Sequence, residues 1–316
     1  MHNNKTAGRP RRVFGPVPSR RLGLSLGLDL VPAKTCTLDC LYCEIGRTTV
    51  KTLERRSWNM ADELEAELAG LLPECEARLD YVTLAGSGEP TLNLELGSII
   101  ERVKRLTEVP LAVLTNGTLL SRPDVRRDLA GADLVIPSLD SALEDTFRRL
   151  NRPAAGLDLS EYIEGLIAFR QGYKGRVWLE ILLVSGVNDG PEELAALKAV
   201  VDRLEPDLVQ LNTVYRPPAY DGAKALSAEA LAGAADFFGP LAEPVTAFKR
   251  GRNAEQTGET EKDILALLAR RPCTAQDVSH ALGLDLTRVL PLLRGLTRSG
   301  RVLAETHNRE TFYRRV

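Results

Sequence analysis

The sequence has few residues that commonly hold metal ions and no long apolar segment. Among 316 residues there are five cysteines and three histidines. No apolar run is long enough to cross a bilayer, and the first twenty residues are polar and basic without a hydrophobic signal core. We therefore expect a cytoplasmic protein. Three cysteines lie within eight residues, unlike the spread framework of a secreted disulfide protein, and such a cluster in a reducing compartment more often binds a metal.

A strong excess of charge is also lacking. The formal net charge is −2, so the chain as a whole lacks the positive charge typical of nucleic-acid-binding proteins. Its two ends are nevertheless basic: residues 1–21 carry six Lys and Arg side chains and no acid, and residues 288–316 carry seven arginines against two glutamates. Solvated surface charge and contact with a phosphate backbone both remain open for these ends.

The body of the chain alternates strand-like runs with amphipathic segments. Apolar residues make up 44% of the chain and charged residues 27%, as in a folded globular protein. Helical patterns separate six strand-like runs, which indicates βα units and a parallel sheet. The runs are "LSLGLDLV", "YVTLA", "LAVLT", "DLVIPS", "RVWLEILLV" and "DLVQLN".

The six units predict an α/β fold of the TIM type, an open partial (β/α)6 barrel over residues 24–248. Six is two short of a closed eight-fold barrel, and the open side would admit a large substrate. Residues 1–23 are predicted to be a basic leader, and the polar stretch "KRGRNAEQTGET" at 249–260 a linker. Residues 261–316 suggest three short helices, with Thr274 and Asp277 as a capping pair, and a terminal hairpin. That order predicts a small winged-helix domain.

The cysteine cluster lies in "KTCTLDCLYCEIGRT", residues 34–48, at positions Cys36, Cys40 and Cys43. Structural zinc requires four ligands, and neither Cys75, Cys273 nor a histidine lies at a helpful spacing. A four-iron cube held by three thiolates leaves one iron with an open coordination site for chemistry. Three inert buried thiols are the alternative interpretation.

This CxxxCxxC spacing resembles that of the radical S-adenosylmethionine (radical SAM) superfamily, with Tyr42 in the aromatic position before the last cysteine. The resemblance covers about residues 13–220. Within the superfamily, the chain is most similar to a branch of wyosine-synthase-like Fe-S oxidoreductases. It implies a [4Fe-4S] cluster on the three cysteines and S-adenosyl-L-methionine as the second cofactor. Archaeal wyosine synthases bring further cysteines for a second cluster, which Cys75 and Cys273 alone cannot supply.

The resemblance extends to the ends of the predicted strands, where barrels of this type build their active sites. "AGSGEP" is similar to the family's GGEP motif, and its glycines would let the backbone approach the methionyl ammonium. The residues implied as cofactor contacts are Tyr42, Gly86, Ser87, Gly88, Glu89, Thr115, Asn116, Ser138, Asp140, Glu180 and Asn212. Singly, such residues are more often turns or caps. Arg47 and Arg216 are candidates for substrate contact, with ordinary ion pairing as the alternative.

The function implied is reductive cleavage of S-adenosylmethionine to a 5'-deoxyadenosyl radical that takes hydrogen from an unknown substrate, with a modified nucleoside in RNA as one candidate. A one-electron reductant such as flavodoxin or ferredoxin would be a partner, an RNA or protein substrate could bind the winged-helix domain, and no membrane is involved. Two alternatives from other classes are a redox-sensing, DNA-binding regulator and an electron-transfer or scaffold protein. Neither would need the motifs at the other strand ends.

Overall fold

A computed structural model describes residues 12–245 and 261–316. The predicted linker at 249–260 and the first eleven residues of the predicted leader lie outside the described residues. The strands up to residue 245 are β1 Val13–Ser19, β2 Gly23–Leu28, β3 Thr35–Cys36, β4 Val50–Lys51, β5 Tyr81–Leu84, β6 Leu111–Thr115, β7 Leu134–Pro137, β8 Arg176–Leu183, β9 Leu208–Thr213 and β10 Ala242–Pro244.

Helices follow most of these strands. They are α1 Ala61–Cys75, α2 Leu96–Leu106, α3 Pro123–Asp128, α4 Glu144–Asn151, α5 Leu159–Gly172, α6 Pro191–Leu204 and α7 Ala228–Phe238. Local chemistry sets several of their boundaries. Pro191 is the first residue of α6, where its missing N–H costs no hydrogen bond. Asp158 and Ser227 cap α5 and α7 by accepting backbone N–H bonds.

In the described part of the chain the main sheet has eight strands in the order β1-β2-β5-β6-β7-β8-β9-β10. Every pair from β2 to β10 is parallel, and β1 pairs antiparallel with β2. The predicted partial barrel is therefore confirmed, and all six predicted strands form. Strand β10 adds a seventh parallel strand that the sequence did not reveal, because a three-residue strand gives too short a pattern.

Strand β1 corrects the prediction that residues 1–23 are all leader. Its register runs from Val13 opposite Leu28 to Ser19 opposite Gly23. Val13 and Val17 are buried, but two prolines between and after them hide the strand pattern in the sequence. Proline is tolerated here because β1 lies at the edge of the sheet.

The two faces of the sheet bury different sets of side chains. Odd-numbered residues of β6, β7 and β8 join the core under the helices, whereas even-numbered residues face inward, toward the barrel axis. Leu22, in the turn between β1 and β2, packs on this inner face against Ala112, Leu134 and Ile136. The turn from Ser19 to Gly23 therefore enters the barrel and occupies part of its interior.

The remaining described residues, 261–316, form a separate arrangement that we call the C-terminal unit. Its elements are α8 Glu261–Leu268, β11 Cys273–Thr274, α9 Ala275–Leu282, α10 Leu286–Arg298, β12 Val302–His307 and β13 Glu310–Arg315. The strands form an antiparallel sheet in the order β11-β13-β12, and the predicted Thr274–Asp277 capping box starts α9. The winged-helix assignment and the domain boundaries stay predictions.

The C-terminal unit packs on the barrel through β1. Val17 belongs to the same apolar cluster as Ile264, Val278 and Leu293, and Phe14 packs against that cluster. Strand β1, within the predicted leader, thus forms an apolar contact between the two parts of the molecule.

None of the helices within the described residues is long and apolar enough to cross a membrane.

Replacing Leu22 by Ala should lower the free energy of unfolding by about 2–5 kcal/mol, because the side chain is only 3% exposed and its truncation leaves a cavity inside the barrel. Denaturant unfolding followed by circular dichroism measures this change. Leu94→Ala is the matched control, since Leu94 is 51% exposed and its truncation should cost less than about 0.5 kcal/mol. Equal changes in the two variants would contradict the placement of Leu22.

Candidate functional site

The three clustered cysteines lie on the long connection after β2, residues 29–52, which we call the cysteine loop. Regular structure in it is limited to the short strands β3 and β4, which pair in parallel. The loop is anchored to the next strand end by two backbone bonds: Lys34 N donates to Ser87 O at 2.5 Å, and Glu89 N donates to Thr35 O at 3.0 Å. The loop is therefore held by the carboxyl end of β5.

Two of the three thiols accept hydrogen bonds from asparagine side chains. Asn116 Nδ2 donates to Cys36 Sγ, and Asn151 Nδ2 donates to Cys40 Sγ, each at 3.4 Å. Burial, and next the charge of Glu89, raise the pKa of Cys36 to about 12, and burial raises the pKa of Cys40 and Cys43. The unliganded thiols are thus protonated at neutral pH, and a metal must displace those protons to bind.

Three thiols are a donor set of the kind that iron–sulfur clusters use. All three cysteines are free of disulfides. In residues 12–245 and 261–316, no three His, Cys, Asp or Glu side chains surround one point where a metal ion could lie. A four-iron cluster binds each thiolate through a different iron, so its ligands need not converge on one point. Close by, Asn151 Oδ1 is buried without a hydrogen-bond partner in the structure.

The glycines of "GSGEP" allow the turn after β5 to lie close to the cysteine loop. A Cβ on Gly88 would collide with the carbonyl oxygen of Thr35 and the side chain of Val31, so only glycine lets the β5 end lie against the cysteine loop. Gly86 has φ +153°, and Ser87 N donates to Asp29 Oδ1 at 2.6 Å. Whether these residues also contact the cofactor's ammonium stays a prediction.

Glu89 joins the ends of β5 and β6. Its carboxylate accepts bonds from Thr91 N at 3.0 Å, Thr115 Oγ1 at 2.6 Å and Asn116 N at 2.7 Å. Burial raises the pKa of Glu89, while these donors oppose the rise. Thr115 and Asn116, both predicted cofactor contacts, are therefore positioned by Glu89, and Asn116 in turn reaches Cys36.

Asp140 forms a second junction, between the cysteine loop and the ends of β7 and β8. It accepts bonds from the Tyr42 hydroxyl, from Asn151 Nδ2 at 2.8 Å and from Leu182 N at 2.9 Å. Burial raises the pKa of Asp140 to about 6 despite these donors, and burial also raises the pKa of Tyr42. Beside this junction, Ser138 and Glu180 form an isolated parallel β-bridge through their backbones.

A cavity of about 190 Å³ lies on the inner face of the sheet next to Asp140. Of the residues predicted from the sequence, those that line it are Tyr42, Cys43, Ser138, Asp140, Glu180, Asn212 and Arg216. Those at the ends of β5 and β6 do not. In its wall the Glu180 carboxylate accepts from Arg21 and from Asn212 Nδ2, the latter at 3.0 Å.

Arg216 links the C-terminal unit to the barrel. Its guanidinium donates to Glu44 at 3.0 Å, to Asp277 at 3.3 Å and to the carbonyl of Pro272 at 2.8 Å. Burial opposes ionisation of Glu44, yet the charges of Arg216, followed by Arg271, lower its pKa to about 2. The ion pairing considered for Arg216 is what the structure shows. Arg47 lies over the ring of Tyr220, 4.4 Å from its centroid.

Sequence reasoning missed three residues of this site. Asn151, at the end of α4, follows no motif and meets Cys40 only through the fold. The sequence pattern places Arg20 and Arg21 in a basic leader, as surface charge or as contacts to a phosphate backbone, yet both line the cavity. The double arginine before the first predicted strand was the signal that could have identified them.

Comparison with known proteins places this site in a family. The model of the radical SAM superfamily matches residues 30–197, more than half of the chain. The chain belongs to the radical SAM superfamily. Enzymes of this superfamily use a [4Fe-4S] cluster and S-adenosylmethionine. The match begins at the cysteine loop and ends within α6.

Two relatives and a solved structure are also similar to this chain. A protein of Brachyspira hyodysenteriae named GTPase Obg is 38% identical over 98% of this chain, which spans only 46% of that protein. A UPF0026 protein of Helicobacter pylori is 34% identical, covering 85% of this chain and 87% of that protein. The structure of TYW1 with a lysine-pyruvate adduct bound has a TM-score of 0.54 at 18% identity, covering 71% of this chain and 75% of that one. At this identity the likeness shows the fold.

Replacing Asn151 by Ala should lower the free energy of unfolding by about 1–3 kcal/mol, because buried Asp140 loses a hydrogen-bond donor. The variant should also retain less iron after anaerobic reconstitution, since Cys40 loses its only side-chain donor among the hydrogen bonds of the described residues. Unfolding curves and iron content per chain check both effects. Gln171→Ala, which removes an exposed amide from α5, is the control. Identical results for the two variants would contradict the role of Asn151.

Proposed function

We propose that Cys36, Cys40 and Cys43 hold a [4Fe-4S] cluster with one open iron, and that the protein uses it to cleave S-adenosylmethionine reductively and take hydrogen from a substrate. The observation that carries this proposal is that two asparagine side-chain amides donate hydrogen bonds to two of the thiols. Asn116 and Asn151 each reach a cysteine from a different element, and each is tied to a buried carboxylate, Glu89 or Asp140. Inert core thiols need no such arrangement.

When bound, the cluster supplies the electron that breaks the carbon–sulfur bond of S-adenosylmethionine, giving the 5'-deoxyadenosyl radical. The protein's own residues bind and orient. Amide donors to the cysteine sulfurs stabilise their thiolate form once the protons have left. Residues of the barrel and Arg271 of the C-terminal unit line the cavity, and a substrate bound there would shield a radical that reacts with almost any hydrogen donor.

The cofactor contacts we propose form two groups. Gly88, Glu89 and Asn116, beside Cys36, would meet the methionyl end. Tyr42, Ser138, Asp140, Glu180 and Asn212, which line the cavity, would meet the nucleoside. Their hydroxyl, amide and carboxylate groups suit hydrogen bonding to ribose and adenine. We assign the two groups to opposite ends of the cofactor because only the second group lines the cavity.

A one-electron donor such as flavodoxin or ferredoxin is the partner that this chemistry requires. Arg47 and Lys51, on the cysteine loop, are exposed and could meet an acidic donor.

For the substrate we infer a nucleoside in RNA, on the support of the C-terminal unit. Helix α10 exposes Arg288, Arg294 and Arg298 without an acidic residue between them, and the β12–β13 hairpin exposes Arg309 and Arg315. Such a surface suits a phosphate backbone. The regulator alternative gains no support from the comparisons, because the family match covers the barrel and not the C-terminal unit.

Replacing Cys40 by Ala should abolish formation of 5'-deoxyadenosine and lower the iron content of the reconstituted protein, because one of three cluster ligands is removed. Cys75→Ala is the matched control, since Cys75 is buried in α1, where its Sγ donates to Leu71 O at 3.3 Å. Anaerobic assay with dithionite and S-adenosylmethionine measures the product. Undiminished deoxyadenosine from the Cys40 variant would overturn the ligand assignment.

The double replacement Arg294→Gln, Arg298→Gln should weaken binding to bulk tRNA and reduce the slope of log affinity against log salt by about 2, roughly one for each arginine that no longer neutralises a phosphate. Arg148→Gln, on α4 and exposed, is the control. Fluorescence anisotropy over a salt series measures both quantities, with duplex DNA in a parallel arm. An unchanged slope, or tighter binding to DNA than to RNA, would count against an RNA substrate.

A further inference from the structure

The cavity on the inner face carries more cations than its own carboxylates can pair. Its charged lining consists of four arginines and three carboxylates, which are Arg20, Arg21, Arg216, Arg271, Glu44, Asp140 and Glu180. Arg21 pairs with Glu180, and Arg216 pairs with Glu44 and with Asp277 outside the cavity. Asp140 accepts from Tyr42, Asn151 and Leu182 instead of from an arginine.

Arg20 is left without a carboxylate at ion-pair distance among the residues that the structure describes. Its Nη2 donates to the neutral amide oxygen of Asn212 at 3.4 Å, and its guanidinium lies 4.2 Å from the centroid of the Tyr215 ring. Burial, followed by the charge of Arg216, lowers the pKa of Arg20 to about 10. A guanidinium in this environment is stabilised by any anion that enters.

Arg271, from the C-terminal unit, is the second weakly paired cation. Its Nη1 lies 3.7 Å from Glu44 Oε1, too far for a hydrogen bond, and its Nη2 donates to the carbonyl of Pro18 at 3.1 Å. Pro18 precedes the turn that carries Arg20 into the barrel. The two arginines thus approach one cavity from the barrel turn and from the C-terminal unit.

We propose that Arg20 and Arg271 form a binding site for an oxyanion of the substrate, a carboxylate or a phosphate. The guanidinium fork matches both groups, with two parallel donors for two oxygens. This inference rests on the proposed function, because it assumes that the cavity binds the substrate of the radical reaction. It adds to that function the chemical group by which the substrate is recognised.

The anion belongs to the substrate and not to the methionyl carboxylate of the cofactor. The residues proposed for the methionyl end, Gly88, Glu89 and Asn116, do not line the cavity, whereas those proposed for the nucleoside do. Arg20 and Arg271 line the cavity as well, so an anion that they hold lies apart from the residues proposed for the methionyl end.

The test is calorimetric titration of the purified full-length chain with inorganic phosphate and, separately, with acetate. Both the wild-type protein and Arg148→Gln, an exposed ion-pair residue on α4, should bind at least one of the two anions with equal affinity. Arg20→Gln should bind it about tenfold more weakly, since a charge-assisted hydrogen bond is removed. Arg271→Gln should show a change in the same direction. The preferred anion distinguishes a phosphate from a carboxylate substrate.

Three results would overturn the proposal. They are no binding of either anion to the wild type, equal affinity in Arg20→Gln and Arg148→Gln, and a drop of S-adenosylmethionine affinity in Arg20→Gln as large as the drop of anion affinity. Thermal unfolding checks that Arg20→Gln folds, and Arg271→Gln gives a second route if it does not. Because anion binding needs no cluster, its failure leaves the cysteine assignment standing, and failure of the Cys40 experiment leaves the anion site standing.

Discussion

Two asparagine side chains donate to thiols of the cysteine loop, and the geometry around these thiols depends on them. Thiol sulfur is a weak hydrogen-bond acceptor, and the loop has only the β3–β4 pair as regular structure, so donors from outside the loop help to position its thiols. Asn116, just after β6, and Asn151, the last residue of α4, supply such donors. Each is oriented by a buried carboxylate, and buried carboxylates are stable only because several donors converge on them.

The same logic connects the barrel to the C-terminal unit. Arg216 is almost fully buried and would be costly there without partners, but it reaches Glu44 on the cysteine loop, Asp277 on α9 and a backbone carbonyl between them. Val17 adds an apolar contact from β1. Glu44, the residue after Cys43, is thus tied to the C-terminal unit, so displacement of that unit would disturb both the cavity and the cysteine loop.

The barrel interior is divided between apolar and polar filling. Leu22 and the inward residues of β6 and β7 close one part with an apolar core, while Arg20, Arg21, Glu180 and Asn212 line a polar cavity next to Asp140. A single turn, Ser19 to Gly23, contributes side chains to both parts. This explains how a short hairpin outside the family match can shape the site without contributing to the shared cysteine and glycine motifs.

The sequence by itself determined the six parallel strands, the cysteine loop and the capping box at Thr274, because each depends on residues close together in the chain: period-two apolar runs, thiol spacing, and a side chain three residues from its partner. Only the tertiary structure decided that residues 13–19 form an edge strand, that Asn151 meets Cys40, and that Arg20 and Arg271 share a cavity. Those contacts join residues more than a hundred positions apart or lie in strands whose prolines hide the pattern. Such contacts form only when the chain folds into the barrel, so no local sequence pattern predicts them.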